Sequence, residues 1–93
     1  MEEKQVREEF DTGLAKIRHE IKSRLVIHGI FGSVSFVDLD PVDQVPSGSI
    51  IRIAAKGKTV ERSFDRQDIV GCRLRVGSPV LAGIISMVEE IAT

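Results

Sequence analysis

The last sixteen residues, SPVLAGIISMVEEIAT, constrain the fold more than any other part of the sequence. Ser78 is a favourable N-cap and Pro79 suits a first helical turn, so we predict a helix that starts here. Its only charged residues are Glu89 and Glu90. A helix that is apolar around so much of its circumference is normally covered on more than one side. It is also shorter than the roughly 20 residues of a membrane span. We therefore expect it to be a central packing element.

A second helix is predicted from Met1 to about Leu25. Its apolar residues recur every three or four positions and form one narrow stripe: Val6, Phe10, Leu14, Ile17, Ile21 and Leu25. Its other sides are charged. Opposite charges stand four residues apart in three pairs: Glu3 with Arg7, Lys16 with Glu20, and Glu20 with Arg24. Such pairs stabilise a helix slightly. The narrow stripe fits either a coiled-coil-like seam or a helix lying on a sheet.

Between these helices the apolar pattern changes to that of β-strands. The stretch from about Ile30 to Asp38 alternates and is rich in β-branched residues, which predicts a first strand. The runs SIIRIAAK and TVERSF flank Gly57 and Lys58, which predicts a hairpin with a type II′ turn. The predicted register pairs Lys56 with Thr59, Ala55 with Val60, Ile53 with Arg62, and Ile51 with Phe64. The result is a three-stranded antiparallel meander.

The segment after the hairpin, FDRQDIVGCRLRVG, permits two interpretations. Asp65 is a suitable N-cap and Asp68 lies in the first turn, so a short helix from Arg66 through Val70 is predicted. Within residues 71–76, Cys72, Leu74 and Val76 alternate with Arg73 and Arg75, which fits a strand as well as an extended or loosely helical segment. We favour the helical turn followed by the extended or loosely helical segment.

Together these elements predict one α+β domain over residues 1–93. Its order is a long N-terminal helix, a three-stranded antiparallel meander, a short helical turn and an apolar C-terminal helix packed on one sheet face. Helices at both ends of a small sheet most simply lie on the same face of it.

The sequence contains no pattern typical of an enzyme or a cofactor site. Cys72 is the single cysteine and has no recognisable catalytic partner. Asp38, Asp40 and Asp43 could offer oxygen ligands to a metal ion, but Pro41 interrupts them and the calcium-loop spacing is missing. A solvated acidic loop is the favoured interpretation. We therefore predict a non-enzymatic protein with no cofactor and no metal site.

Charge is unevenly distributed along the chain, although the net charge is only −1. Residues 47–82 contain seven basic and three acidic residues, whereas residues 1–46 contain six basic and nine acidic ones. Five basic residues form a candidate patch for an anionic ligand or a nucleic-acid backbone: Arg52, Lys56, Lys58, Arg62 and Arg66. The scarcity of aromatic residues argues against sequence-specific recognition. Arg62 stands out because the alternation places it on the apolar side of its strand.

The leading functional hypothesis is an assembly or adaptor module that acts as a homo-oligomer, most simply a dimer. Three short strands offer about one apolar face, which we expect to be too small to cover both helices. The predicted interface lies on the C-terminal helix and consists of Val80, Ile84, Met87, Val88 and Ile91. The apolar stripe of the N-terminal helix is the alternative interface.

The expected location is a bacterial-type cytoplasm. A single cysteine excludes an internal disulfide, and the N-terminus lacks the basic and apolar pattern of an export signal. No membrane segment is predicted.

Overall fold

The structure is a computed structural model that describes residues 2–40, 46–72 and 74–93. The helices and strands are α1 (Glu2–Ile27), β1 (Gly32–Leu39), β2 (Gly48–Ala55), β3 (Lys58–Asp65), α2 (Arg66–Val70) and α3 (Pro79–Ala92). This order confirms the predicted α+β fold. The part of the acidic loop that contains Asp43 lies outside the described residues, as does Arg73.

The three strands form one antiparallel sheet in the order β1-β2-β3, with β1 and β3 at its edges. The core lies between one sheet face and the two long helices. Val34, Ile51, Ile53 and Phe64 contribute apolar side chains from the sheet. Helix α1 contacts β1, helix α3 contacts β3, and the two helices contact each other. We call the sheet face turned away from the helices the open face.

The hairpin register differs from the predicted one by two residues. Lys56 and Gly57 form the loop, with φ of 54° and 72°, and Ala55 pairs with Lys58. Positive φ at both loop residues is the pattern of a type I′ turn, whose twist matches that of the flanking strands. Ile53 therefore pairs with Val60 instead of Arg62. Because a two-residue shift preserves the side of each residue, Arg62 still lies on the helix-facing side.

The interface predicted on α3 needs a correction. Val80, Ile84, Met87, Val88 and Ile91 are all 4% exposed or less within the single chain. The expected surplus of apolar surface on the helices does not arise, because α1 and α3 lie side by side on the sheet and cover each other. The stripe on α1 is likewise covered by its own chain, with Phe10, Ile17 and Ile21 fully buried. An interface in this fold must use other residues.

The segment that follows β3 forms the predicted short helix, and irregular chain follows this helix. Helix α2 ends at Val70, and the amides of Gly71 and Cys72 donate to the carbonyls of Gln67 and Ile69. Residues 71, 72 and 74–76 belong to neither a helix nor a strand. Ser78 then caps α3 as predicted, since its Oγ accepts a hydrogen bond from the Leu81 amide at 3.4 Å.

Candidate functional site

The five basic residues predicted as an anion-binding patch do not converge on one place. Lys56 and Lys58 flank Gly57 at the tip of the hairpin, whereas Arg66 follows the opposite end of β3. Arg66 Nε donates to the Pro46 carbonyl at 2.7 Å. Eight residues of strand separate the two ends by about 26 Å. A single small anion could therefore contact only some of the five residues.

Arg52 and Arg62 lie on opposite faces of the sheet. On the open face, Arg52 Nη2 forms an ion pair with Glu61 Oε2 at 2.6 Å, directly across the β2-β3 pair. On the helix-facing side, Arg62 Nη2 lies 3.2 Å from the Ser86 Oγ of α3. The Arg62 stem passes over Gly83, where its Cδ lies 3.2 Å from the point that a Cβ would occupy. Each arginine is thus held locally within its own chain.

The described residues contain no cluster of three or more His, Cys, Asp and Glu side chains that could hold a metal ion. Cys72 is buried, and burial raises the pKa of its thiol; nearby Lys16 opposes this rise and Asp68 adds to it. A neutral, covered thiol is a poor nucleophile.

Exposed apolar side chains are concentrated where α1 leads into β1. Val26 and Ile27 end α1 and are 65% and 81% exposed, and Phe31 before β1 is 92% exposed. Val37, on the open face of β1, is 44% exposed. Val76 is the other large apolar residue exposed in the described chain, and it lies before α3. Contiguous exposed apolar surface commonly marks an interaction site.

The two edges of the sheet differ in charge. Strand β1, GSVSFVDL, contains one charged residue, Asp38. Strand β3, KTVERSFD, contains four: Lys58, Glu61, Arg62 and Asp65. Charged side chains on an edge strand discourage pairing with another chain, whereas an uncharged edge leaves its backbone open to pairing. The β1 edge is therefore the more receptive of the two.

A charged side of α1 runs beside the β1 edge. The Arg18 guanidinium lies 4.9 Å from the ring centroid of Phe36 on β1, which fixes this side of the helix over the edge. On this side of α1, five exposed residues are spaced alternately three and four positions apart. We call this set the α1 flank: Glu8, Asp11, Ala15, Arg18 and Lys22. Its N-terminal part is acidic, its C-terminal part is basic, and its centre is a small side chain.

The charges of the α1 flank are mostly not neutralised within the helix. Asp11 lies 3.5 Å from Arg7, and Glu20 forms the predicted pair with Arg24 at 2.6 Å. Glu8 and Lys22 have no ion-pair partner among the described side chains. The pairs predicted from the sequence involved other charges of this helix and included none of the charged residues of the flank. The spacing of three and four residues was the signal that could have identified a continuous flank.

Comparison with known protein families, with characterised protein sequences and with solved structures finds no match to this chain. Among the described residues, no helix combines the length and apolar character needed to cross a membrane.

Proposed function

We propose that this chain is a non-enzymatic assembly module that acts as a two-fold homodimer through the α1 flank. The observation that supports the proposal is the order of charges along this flank. Glu8 and Asp11 stand on one side of Ala15, and Arg18 and Lys22 stand on the other. A two-fold axis places two such flanks antiparallel, so each acidic half faces the basic half of the other copy.

The spacing of the flank fixes how two copies align. With Ala15 on the axis, Glu8 and Lys22 are each seven residues from it, so Glu8 lies opposite Lys22 of the second copy. Arg18 comes within about one residue of Asp11 of the second copy, an axial offset of about 1.5 Å. The small side chain of Ala15 lets the two helices approach closely at the crossing point.

The charges select the orientation of the dimer more than they determine its strength. Exposed ion pairs contribute about 0.2–1 kcal/mol each and weaken as salt is added. Opposed like charges would disfavour a parallel arrangement of the same two helices. The net charge of −1 per chain produces little overall repulsion between copies. We therefore expect a dimer of modest affinity with a defined antiparallel geometry.

Sedimentation velocity of the wild-type chain over a concentration series tests this proposal. We expect the sedimentation coefficient to rise from a monomer value towards a dimer value between about 1 and 100 µM, the range for association of about 5–8 kcal/mol. The midpoint should move to higher concentration as salt increases, since the flank charges are exposed. A folded monomer whose sedimentation is independent of concentration at low salt would contradict the proposal.

A further inference from the structure

We infer that the second copy also pairs its β1 strand with β1 of the first, joining two three-stranded sheets into one six-stranded sheet. The inference rests on the proposed function, because the occupant of the edge is the same second copy. It is supported separately by the chemistry and geometry of the β1 edge.

The backbone of β1 presents hydrogen-bonding groups to that edge. Ala55 and Lys58 close a two-residue loop, where opposite residues exchange both backbone hydrogen bonds. Along β2, the backbone amides and carbonyls of successive residues point alternately to β3 and to β1. Because those of Ala55 point to β3, those of the even-numbered residues of β2 point to β1. They pair with odd-numbered residues of β1. Consistently, the Leu39 carbonyl accepts from the Ser47 amide at 2.9 Å.

The even-numbered residues of β1 therefore direct their amides and carbonyls outward: Gly32, Val34, Phe36 and Asp38. Across this edge the described chain provides no further strand. An antiparallel strand is the natural partner for such a row of groups, and a two-fold axis supplies one from an identical chain.

The α1 flank locates the axis on β1. Helix α1 and strand β1 run in opposite directions, and Arg18 lies over Phe36. Moving from Arg18 to Ala15 covers about 4.5 Å along the helix, and moving from Phe36 to Val37 covers about 3.3 Å along the strand. An axis through Ala15 in the helix layer thus passes close to Val37 in the sheet layer.

This register pairs Val37 with Val37 of the second copy and Phe36 with Asp38 of the second copy. The exposed Val37 side chains then cover each other on the open face. Asp38 is the one charged residue of the edge. It lies on the helix-facing side of the sheet, opposite the phenyl ring over which Arg18 sits. The register therefore places this carboxylate beside the guanidinium of the other copy.

Disulfide trapping tests the register. In a Cys72→Ala background, Val37→Cys places a thiol on the proposed axis. Odd-numbered residues of the joined β1 strands occupy non-hydrogen-bonded pairs, whose Cα atoms lie about 4.5 Å apart and so within disulfide range. We expect rapid formation of a disulfide-linked dimer under mild oxidation, measured on non-reducing gels. Ser63→Cys is the matched control, since Ser63 is exposed on the open face of the opposite edge strand.

Ser35→Cys on the same strand reports the alignment. Its opposite residue in this register is Leu39, so it should cross-link several times more slowly than Val37→Cys. Circular dichroism checks that each variant is folded. Two outcomes would overturn the strand pairing alone, provided that the wild-type chain still sediments as a dimer. One is faster cross-linking of Ser35→Cys than of Val37→Cys, and the other is equal cross-linking rates for Val37→Cys and Ser63→Cys. Absence of any wild-type dimer would overturn both this inference and the proposed function.

Discussion

Arg62 occupies the helix-facing side of β3, yet its guanidinium remains exposed beside Ser86. The stem covers Gly83 and lies near the Phe64 ring, which is 2.9 Å from the position of a Gly83 Cβ. Long basic side chains commonly pack their methylene groups on apolar surface while the charge stays in water. No described carboxylate forms an ion pair with Arg62. The residue therefore contributes packing and keeps a charge on the edge strand.

Arg62→Met should change the free energy of unfolding by less than about 1 kcal/mol, because methionine retains the packing and no buried charged partner is left behind. Arg62→Ala should lower the free energy of unfolding by more than Arg62→Met does, since it also removes the packed methylene groups. Urea denaturation of the two variants measures both changes. A loss of several kcal/mol in the methionine variant would reveal a buried charged partner and contradict this account.

Cys72 gives a prediction about pH. Burial raises the pKa of the folded thiol above its unfolded value. The protonated thiol is thus favoured by folding, and its contribution to stability is complete below the unfolded pKa and lost as pH rises through the folded pKa. Wild-type stability should consequently fall more between about pH 7 and pH 10 than that of Cys72→Ala. Urea denaturation at both pH values measures the difference, and equal losses would show that burial does not affect this titration.

Among the elements, α1 and α2 approach each other closely at Gly13. A Cβ at this position would collide with the backbone carbonyl oxygen of Ile69. The side chain of Ile69 is fully buried in the core. From sequence alone, Gly13 only weakens the middle of a long helix, by about 1 kcal/mol relative to alanine. The structure gives it a packing role, because a backbone atom cannot move aside as a flexible side chain can.

Gly13→Ala therefore decides between helix propensity and packing. We expect a net loss of about 1–3 kcal/mol, since overpacking against fixed backbone outweighs the gain in propensity. The neighbouring Thr12→Ala is the control; Thr12 is exposed, so its replacement should stabilise the chain slightly. Thermal or urea denaturation measures both variants. An increase in stability for Gly13→Ala would show that the α1-α2 contact is looser than described.

The elements differ in how well sequence patterns determine them. The apolar spacing of α1 and α3 and the Ser78 cap were sufficient to predict both helices, because burial and capping act locally. The hairpin loop was misplaced by one residue, since Gly57 fits either position of a tight turn and Lys56 adopts an uncommon positive φ. Helix coverage was also misjudged. Periodicity shows which side of a helix is buried, but it does not show that α1 and α3 cover each other.

At the scale of the whole molecule, two features face the same side of the fold: the α1 flank and the β1 edge, which has a single charged residue, Asp38. The sequence interpretation expected a dimer from surplus apolar surface on α3, but that surface is used within one chain. The order of charges along the α1 flank is the observation that now supports the proposal. It was missed because only the pairs Glu3–Arg7, Lys16–Glu20 and Glu20–Arg24 were assigned from the sequence, and the flank charges were not considered together.

A charge exchange between Glu8 and Lys22 tests the central claim most directly. The proposed dimer would contain this contact twice, so Glu8→Lys or Lys22→Glu alone would replace two attractions with two repulsions. At about 0.2–1 kcal/mol for each exposed pair, the dissociation constant should rise roughly tenfold. The double variant Glu8→Lys, Lys22→Glu restores opposite charges across the axis and should return the dissociation constant close to the wild-type value.

Lys58→Glu supplies the control, because it makes the same charge change as Lys22→Glu at the exposed hairpin tip, away from the flank. Sedimentation equilibrium at low salt gives the dissociation constants of all five proteins. We expect weaker dimers for the two single flank variants, recovery in the double variant and little change in the control. The central claim would be contradicted if the dissociation constant of the double variant stayed as high as that of either single variant. It would also be contradicted if Lys58→Glu raised the dissociation constant as much as Lys22→Glu.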